Sequence, residues 1–422
     1  MDEFLLQLNC PKLECVIIKT NFENEVEAPY DFFGGMEELR VLVMFNEGTK
    51  FPIPKLLKSI ESLTNLRCLM LRELELGDVP FLGSFSTIED LSIGCCSFHE
   101  LPIGVVNLKN LRLMELEECQ IEKNPCDVIK RCSRLEELYF VGNEYPKYKG
   151  ESSLECSKFK LQRYHIEIGT RIKEFNYNDY SIKRYLSIES FDNHFSDATF
   201  VDLIRRAEVL YLGEIHGGCK NIIPDFVHKI GDGMNELTKL LVRDSDEVEC
   251  LVDMTNSFHH IGMVFSNLTY LEISGMEHLE ELFLGKPHHG LLQKLEELHI
   301  SKCNLKHIIA NEPEIISDGR IPRSYDSVFP KLKVISIKEC QELEYLMPVS
   351  FAKSQLQLEN VEIDSASQLK YVFGQPNLDD EGLSCNLNQN EFHMVKLEAL
   401  KSLTLRDIPN IVSICPENYH AI

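Results

Sequence analysis

The sequence predicts an α/β-type repeat solenoid, a horseshoe with short parallel strands on its concave face and irregular or short helical segments on its convex side. Three observations carry that expectation. The chain has 422 residues, and a single hydrophobic core stops growing near ~250–300 residues. An apolar spacing at positions i, i+3 and i+5 recurs along almost the whole chain. A narrow choice of residue returns three positions beyond it.

Length alone permits either several domains or a quasi-one-dimensional fold. Hydrophobic residues make up 44% and charged residues 26%, which is the balance of an ordinary folded chain rather than a disordered one. Repeats are therefore the first thing to look for.

The spacing appears as Leu13/Val16/Ile18, Leu39/Leu42/Met44, Leu66/Leu69/Leu71 and Ile88/Leu91/Ile93, then Leu111/Met114/Leu116, Leu135/Leu138/Phe140 and Leu161/Tyr164/Ile166. It weakens at Leu186/Ile188 and Leu210/Leu212, where the first apolar residue is missing. It recovers at Leu237/Leu240/Val242, Leu268/Leu271/Ile273, Leu295/Leu298/Ile300, Leu332/Ile335/Ile337, Leu358/Val361/Ile363 and Leu400/Leu403/Leu405. Residues i+3 and i+5 lie on one face of a strand, because side chains alternate along it. Residue i tucks in from the preceding turn. One such unit cannot bury its apolar side alone, whereas stacked neighbours make a continuous core.

Clear neighbours in the first two-thirds are 22 to 31 residues apart, close to the ~20–29 of leucine-rich repeats. That repeat type wants Asn or Cys three positions past i+5, and the slot holds Asn21, Cys96, Cys119, Asn143, Cys303 and Cys340. Elsewhere it holds Glu47, Leu74, Gly169, Ser245, Met276 or Ile408, so the polar ladder should be irregular. About fifteen repeats are expected in one domain over residues 1–422, with an irregular middle near 141–235 and insertions near 311–328 and 374–395.

Charge narrows the partners. Lys and Arg number 43 against 67 Asp and Glu, a formal net charge of −24. Nucleic-acid binding needs a positive footprint to displace counterions from phosphate, so none is expected. No apolar run reaches the ~18 residues needed to cross a bilayer. The first residues, Met1 to Leu8, lack a basic segment and a cleavage site, so the chain reads as cytoplasmic. Fifteen cysteines without CxxC pairs do not form a disulfide framework; several are explained as buried ladder thiols. The sequon Asn267-Leu268-Thr269 reads as a chance match at the start of a strand. Phe4, Leu5, Leu6 and Leu8 form an uncapped apolar start, expected to stay exposed unless a partner covers it.

Some stretches match more than the generic repeat. Residues 32–42 (FFGGMEELRVL), 62–69 (SLTNLRCL), 101–111 (LPIGVVNLKNL) and 133–139 (SRLEELY) resemble, in that order, the opening repeats of plant coiled-coil nucleotide-binding leucine-rich-repeat disease-resistance proteins. Residues 328–333 (VFPKLK) and 408–416 (IPNIVSICP) are similar to that family's C-terminal half. The resemblance implies a sensing role: the repeats bind a pathogen effector, or a guarded host protein, and regulate a nucleotide-binding switch in cis or in trans. No phosphate-cradle motif and no coiled-coil segment is found here, so nucleotide exchange is not carried over, and no cofactor is expected. The chain starts inside the repeats, as a truncated product or a fragment would. A free-standing adaptor, such as the substrate arm of a ubiquitin ligase, is the alternative reading.

The concave strand face is the usual binding surface of a solenoid. Its solvent-facing candidates are Arg67, Met70 and Arg72; then Arg112, Glu115 and Glu117; then Glu137 and Tyr139. In the later repeats they are Tyr270 and Glu272; Glu297 and His299; and Lys333, Ser336 and Lys338. Tyr and Arg make the strongest anchors in protein interfaces. His259-His260 and His288-His289 lack a third ligand at metal spacing, and the HExxH zinc signature is missing. Cys95-Cys96 sits beside Glu89 and Glu100, the wrong electrostatics for a reactive thiolate. No catalytic residue is expected.

Overall fold

The structure is a computed structural model and describes residues 9–20, 32–47, 58–145, 161–169, 181–190, 198–230, 234–255, 265–285, 291–309, 329–349, 357–374, 393–395, 397–416 and 419–421. They fall into two compact units, one running to Ser187 and the other from Leu203 onward, with the short stretch between them divided.

Each unit is built on a ladder of short parallel strands whose spatial order is their chain order. In the first unit these are Cys15–Thr20, Val41–Asn46, Cys68–Arg72, Asp90–Gly94, Leu113–Glu117, Glu137–Val141, Arg163–Ile168 and Arg184–Ile188. In the second they are Val209–Gly213, Lys239–Arg243, Tyr270–Ser274, Glu297–Ser301, Val334–Lys338, Asn360–Asp364 and Ser402–Arg406. That is the architecture of a leucine-rich-repeat solenoid.

Neighbours pair so that equivalent repeat positions face each other. In the first unit Leu69 meets Leu91, Leu91 meets Met114 and Met114 meets Leu138. In the second Leu240, Leu271, Leu298, Ile335 and Val361 form the same column. A one-residue slip would turn every one of these to the other face. The inward residues are close to fully buried, as at Leu66, Leu69 and Leu71, each such burial contributing about 1.5–3 kcal/mol. Two end strands depart from this. Leu13, Val16 and Ile18 are only half-buried, and Leu405 is 36% exposed. At the weak middle repeats Ala207 occupies one first position, and Tyr185 and Leu186 are both almost fully buried.

Two turns recur. Before most of the described strands the amide of residue i donates to the carbonyl of residue i−3, as in Leu66 to Leu63, Leu268 to Phe265 and Leu332 to Phe329. The i−3 residue is itself a buried apolar anchor, as Phe85, Phe265, Leu292 and Phe329 are. After most of the described strands the residue two positions past i+5 is left-handed: Glu73, Cys95, Glu118, Glu214, Asp244, Lys302, Glu339, Ser365 and Asp407 all have φ between 42° and 59°. Its amide then donates to the last carbonyl of the next strand, as in Cys95 to Glu117 at 2.7 Å and Lys302 to Lys338 at 3.0 Å. A side chain in that conformation costs about 1–2 kcal/mol, which the bond to the next strand offsets. At Gly275 (φ 67°) the position is also crowded, since an added Cβ would overlap the Asp244 carboxylate. Gly275→Ala should therefore lose about 1–3 kcal/mol and lower the melting temperature of the second unit; an unchanged melt would show that the Asp244 side chain simply moves aside.

The slot after the left-handed residue ties successive turns together. Asn143 Oδ1 accepts from the Cys119 amide at 2.9 Å, and its Nδ2 donates to the Leu116 carbonyl at 2.7 Å. The Cys96 thiol donates to the Gly94 carbonyl and accepts from the Leu74 amide. Cys119, Cys303 and Cys340 likewise donate to strand carbonyls. Ser245, expected as a break in the ladder, completes it: its hydroxyl accepts from the Ile215 amide and donates to the Arg243 carbonyl, both at 3.0 Å. A hydroxyl can donate one bond and accept another, which is all the slot asks of the amide side chain, so Ser suffices. Leu74 and Met276 are genuine breaks, buried and apolar. Asn21 lies outside the described residues.

The opposite side holds the expected short helical pieces, among them Cys126–Ile129 and Asp225–Ile230, with 3₁₀ turns at Pro80–Ser84 and Ile103–Asn107. It also holds small parallel sheets that the repeat pattern did not announce: Glu75–Gly77, Ser97–Phe98 and Gln120–Ile121 in the first unit, and Asn221–Ile223, Cys250–Asp253 and Glu281–Leu284 in the second. The insertion expected near 311–328 and the apolar start at residues 4–8 lie outside the described residues. So does all of the insertion near 374–395 except Gly374 and the short strand His393–Val395.

Candidate protein-recognition face

Strand alternation decides which side chains leave the core. With i+3 and i+5 inward, positions i+2, i+4 and i+6 form three parallel rows on the other face, and i+1 forms a rim. In the first unit this places Met70, Glu115 and Tyr139 in the central row, with Arg72 and Glu117 on one side and Glu137 on the other. Arg67 and Arg112 stand exposed on the rim. These eight candidates are thus brought to one continuous surface.

They are also bonded to one another. Arg72 pairs with Glu117, two strands away, and approaches Glu115 at 3.7 Å. Reaching across the intervening strand requires Gly94, where an added Cβ would press on the guanidinium at 3.0 Å. Burial works to lower the Arg72 pKa, but the charges of Glu117 and Glu115 outweigh it and raise it. Ser92 donates to Glu115 at 2.5 Å. On the rim Arg67 lies 3.4 Å from Glu89, and Arg112 bonds Glu136 at 2.7 Å. The Asp90 carboxyl is held above its ordinary range, by partial burial first and by the Glu89 charge next. Tyr139 leans against His165, with ring centres 5.4 Å apart, and His165 against Tyr185. His165 is buried, its Nε2 lying 2.9 Å from the Ile182 carbonyl.

The second unit carries a denser cluster. Tyr270 donates to Glu272 at 2.7 Å, and Glu272 also pairs with Arg243. Arg243 lies over the Tyr211 ring, 5.8 Å from its centre, while Lys239 lies over Tyr270. Tyr270 stacks on His299 at 5.0 Å, and His299 approaches Glu297 at 3.3 Å. Burial, followed by the bond to Glu272, raises the Tyr270 pKa, so the phenol stays a donor. Lys333 bonds Glu296 at 2.7 Å, and Lys338 lies 3.1 Å from Glu362. Ser336, expected to face solvent, is buried at 7% exposure because a short hydroxyl is covered by longer neighbours such as Glu362, to which it donates. Tyr211, Lys239, Leu241 and Arg243 were not among the sequence candidates. Register would have found them: Arg243 occupies the repeat position of Arg72, and Tyr211 that of Tyr139. Tyr211 lies in one of the incomplete repeats, while Lys239, Leu241 and Arg243 lie in the complete repeat that begins at Leu237.

Among the described residues no group of three or more His, Cys, Asp and Glu side chains could hold a metal; the two histidine pairs lie outside them. Cys96 is buried in the ladder, and Cys95, 3.8 Å from Glu118, has its pKa raised by burial and then by that carboxylate. Burial pushes the Cys126, Cys132 and Cys250 thiols up to about 12. The sequon residue Asn267 is tied to the preceding repeat, donating to the Asn235 carbonyl. No helix among the described residues is long and apolar enough to cross a membrane.

Comparisons with known proteins bear out the resemblance drawn from the motifs. The family model described as "Plant disease resistance protein RPS2-like, leucine-rich repeats" matches residues 309–422. Disease resistance protein At4g27190 of Arabidopsis thaliana is 25% identical over an alignment that covers 97% of this chain. The chain spans 40% of that relative's length. Among solved structures, the Toll–Spatzle complex of Drosophila matches at 13% identity and a TM-score of 0.45, covering 92% of this chain and 43% of that one. A leucine-rich-repeat protein of Leptospira interrogans matches at 15% identity and a TM-score of 0.41, covering 88% and 76%.

Proposed function

We propose that this chain is the protein-recognition module of a plant innate-immune receptor, acting inside the cell. Its ladder face binds a pathogen effector or a guarded host protein, and that binding regulates a nucleotide-binding switch domain in cis or in trans. The observation that carries the reading is the composition of the outward rows. Arg67, Met70, Arg72, Tyr139, Tyr270 and His299 stand exposed or half-exposed on strands that the core holds rigid. Aromatic and arginine side chains already held by neighbours lose little freedom on binding, which is what makes them effective anchors. The match to a disease-resistance protein along 97% of the chain supplies the biological setting.

Proximity labelling in plant cells tests this. The parent chain is compared with a version in which Arg67, Met70, Arg72, Glu115, Glu137 and Tyr139 are changed to alanine. The expected result is loss of specific partners, including an effector, a host protein targeted by one, or a nucleotide-binding switch domain. An unchanged partner list, or one dominated by ubiquitin-ligase subunits, would overturn the reading.

A further inference from the structure

We propose that the ladder face of the first unit receives a charge-polarised partner segment lying across the strands, apolar with acidic residues at one end and basic at the other. The inference deepens the recognition reading above and rests on it.

The central outward row changes character along the unit. Over the first three strands it runs Ile17, Val43 and Met70; over the next three it runs Ser92, Glu115 and Tyr139. Ile17 is 66% exposed. Val41, Val43, Phe45, Cys68 and Met70 around it are half-buried, so the apolar stretch is contiguous. Such patches on a soluble chain mark interaction surfaces. The rim beside the second and third strands is basic, with Arg40 and Arg67 both exposed.

The other half has the opposite sign. Asp90, Glu115, Glu117 and Glu137 occupy its rows, and Glu89 and Glu136 its rim. Arg67, Arg72, Arg112 and Arg163 compensate four of the six, which leaves the half net acidic. Partial burial first, and the Glu89 charge next, hold the Asp90 carboxyl above its ordinary range. A cationic side chain arriving here relieves like-charge repulsion, while an acidic one arriving at Arg40 and Arg67 avoids it.

One segment can span both halves. Five strand intervals of about 4.8 Å make roughly 24 Å, the reach of about seven extended residues. The step between the halves is low, because Ser92 and Gly94 are small and Arg72 lies flat across Gly94. Charge complementarity at both ends therefore sets which way the segment lies, and the apolar floor supplies the contact area.

Fluorescence anisotropy on the full chain tests the proposal with two labelled nine-residue peptides of identical composition. One is polarised (Asp-Leu-Glu-Ile-Leu-Ser-Lys-Arg-Lys); the other has its acidic and basic residues interleaved. The polarised peptide should bind at least tenfold tighter. Ile17→Asp, at a site too exposed to affect folding, should weaken it about tenfold, and Glu115→Lys about fivefold. Circular dichroism checks that both variants keep the parent's fold. Equal affinities, no binding by either peptide, or an unaffected Ile17→Asp would overturn the proposal. The alanine set used for proximity labelling reports separately on the recognition reading: partners lost there, with peptides bound equally here, would remove the polarity alone.

Discussion

Asn143→Leu should cost the first unit about 2–4 kcal/mol. The Asn143 side chain is buried and answers two backbone groups of neighbouring turns, the Cys119 amide and the Leu116 carbonyl. Leu fills the same space and leaves both groups unanswered, and each buried unpaired group costs about 1–3 kcal/mol. Asn143→Ser should recover part of the loss, because Ser245 performs the same double duty in the second unit. Hydrogen exchange is the direct check, with the Cys119 amide expected to lose protection before its neighbours. Protection equal to the parent's would mean that water enters the slot and takes over both bonds.

Phe329→Ala should have the larger effect, about 3–5 kcal/mol, the usual cost of emptying a phenylalanine site in a core. Phe329 is fully buried, its ring lies 5.8 Å from that of Phe283, and its carbonyl holds the turn that delivers Leu332 to the strand Val334–Lys338. In a solenoid each repeat is stabilised by its neighbours, so the loss should spread: amides of Val334–Lys338 and of the adjoining Glu297–Ser301 should exchange faster together. Exchange confined to one strand would show that the repeats fold more independently than nearest-neighbour coupling requires. Binding by the first unit should be untouched, which separates this effect from any change to the recognition face.

The repeat architecture was legible because the i, i+3, i+5 spacing is imposed by the pleat of a strand and by the need to bury one side of it. The same alternation turns Arg72, Glu115 and Tyr139 outward in the first unit, and Tyr270 and Lys338 outward in the second. Two recurring features were not legible. The apolar anchor at i−3 varies among Phe, Leu, Met and Cys and follows loops of unequal length, so it does not align by eye. The left-handed residue is Glu, Lys, Asp, Cys or Ser far more often than Gly, and therefore lacks the residue type that usually betrays that conformation.

Sequence by itself determined the repeat, its inward columns, the Asn and Cys slots and the rows that face outward, because each follows from local periodicity and donor capacity. Tertiary structure decided which outward residues meet. Arg72 reaching over Gly94 to Glu117, Arg243 shared between Tyr211 and Glu272, and Ser336 sunk beneath Glu362 all join positions 26 to 45 residues apart. Such contacts depend on side-chain length and on the bulk of the residue between. Strand register brings the candidates together, but only packing in three dimensions says which of them touch.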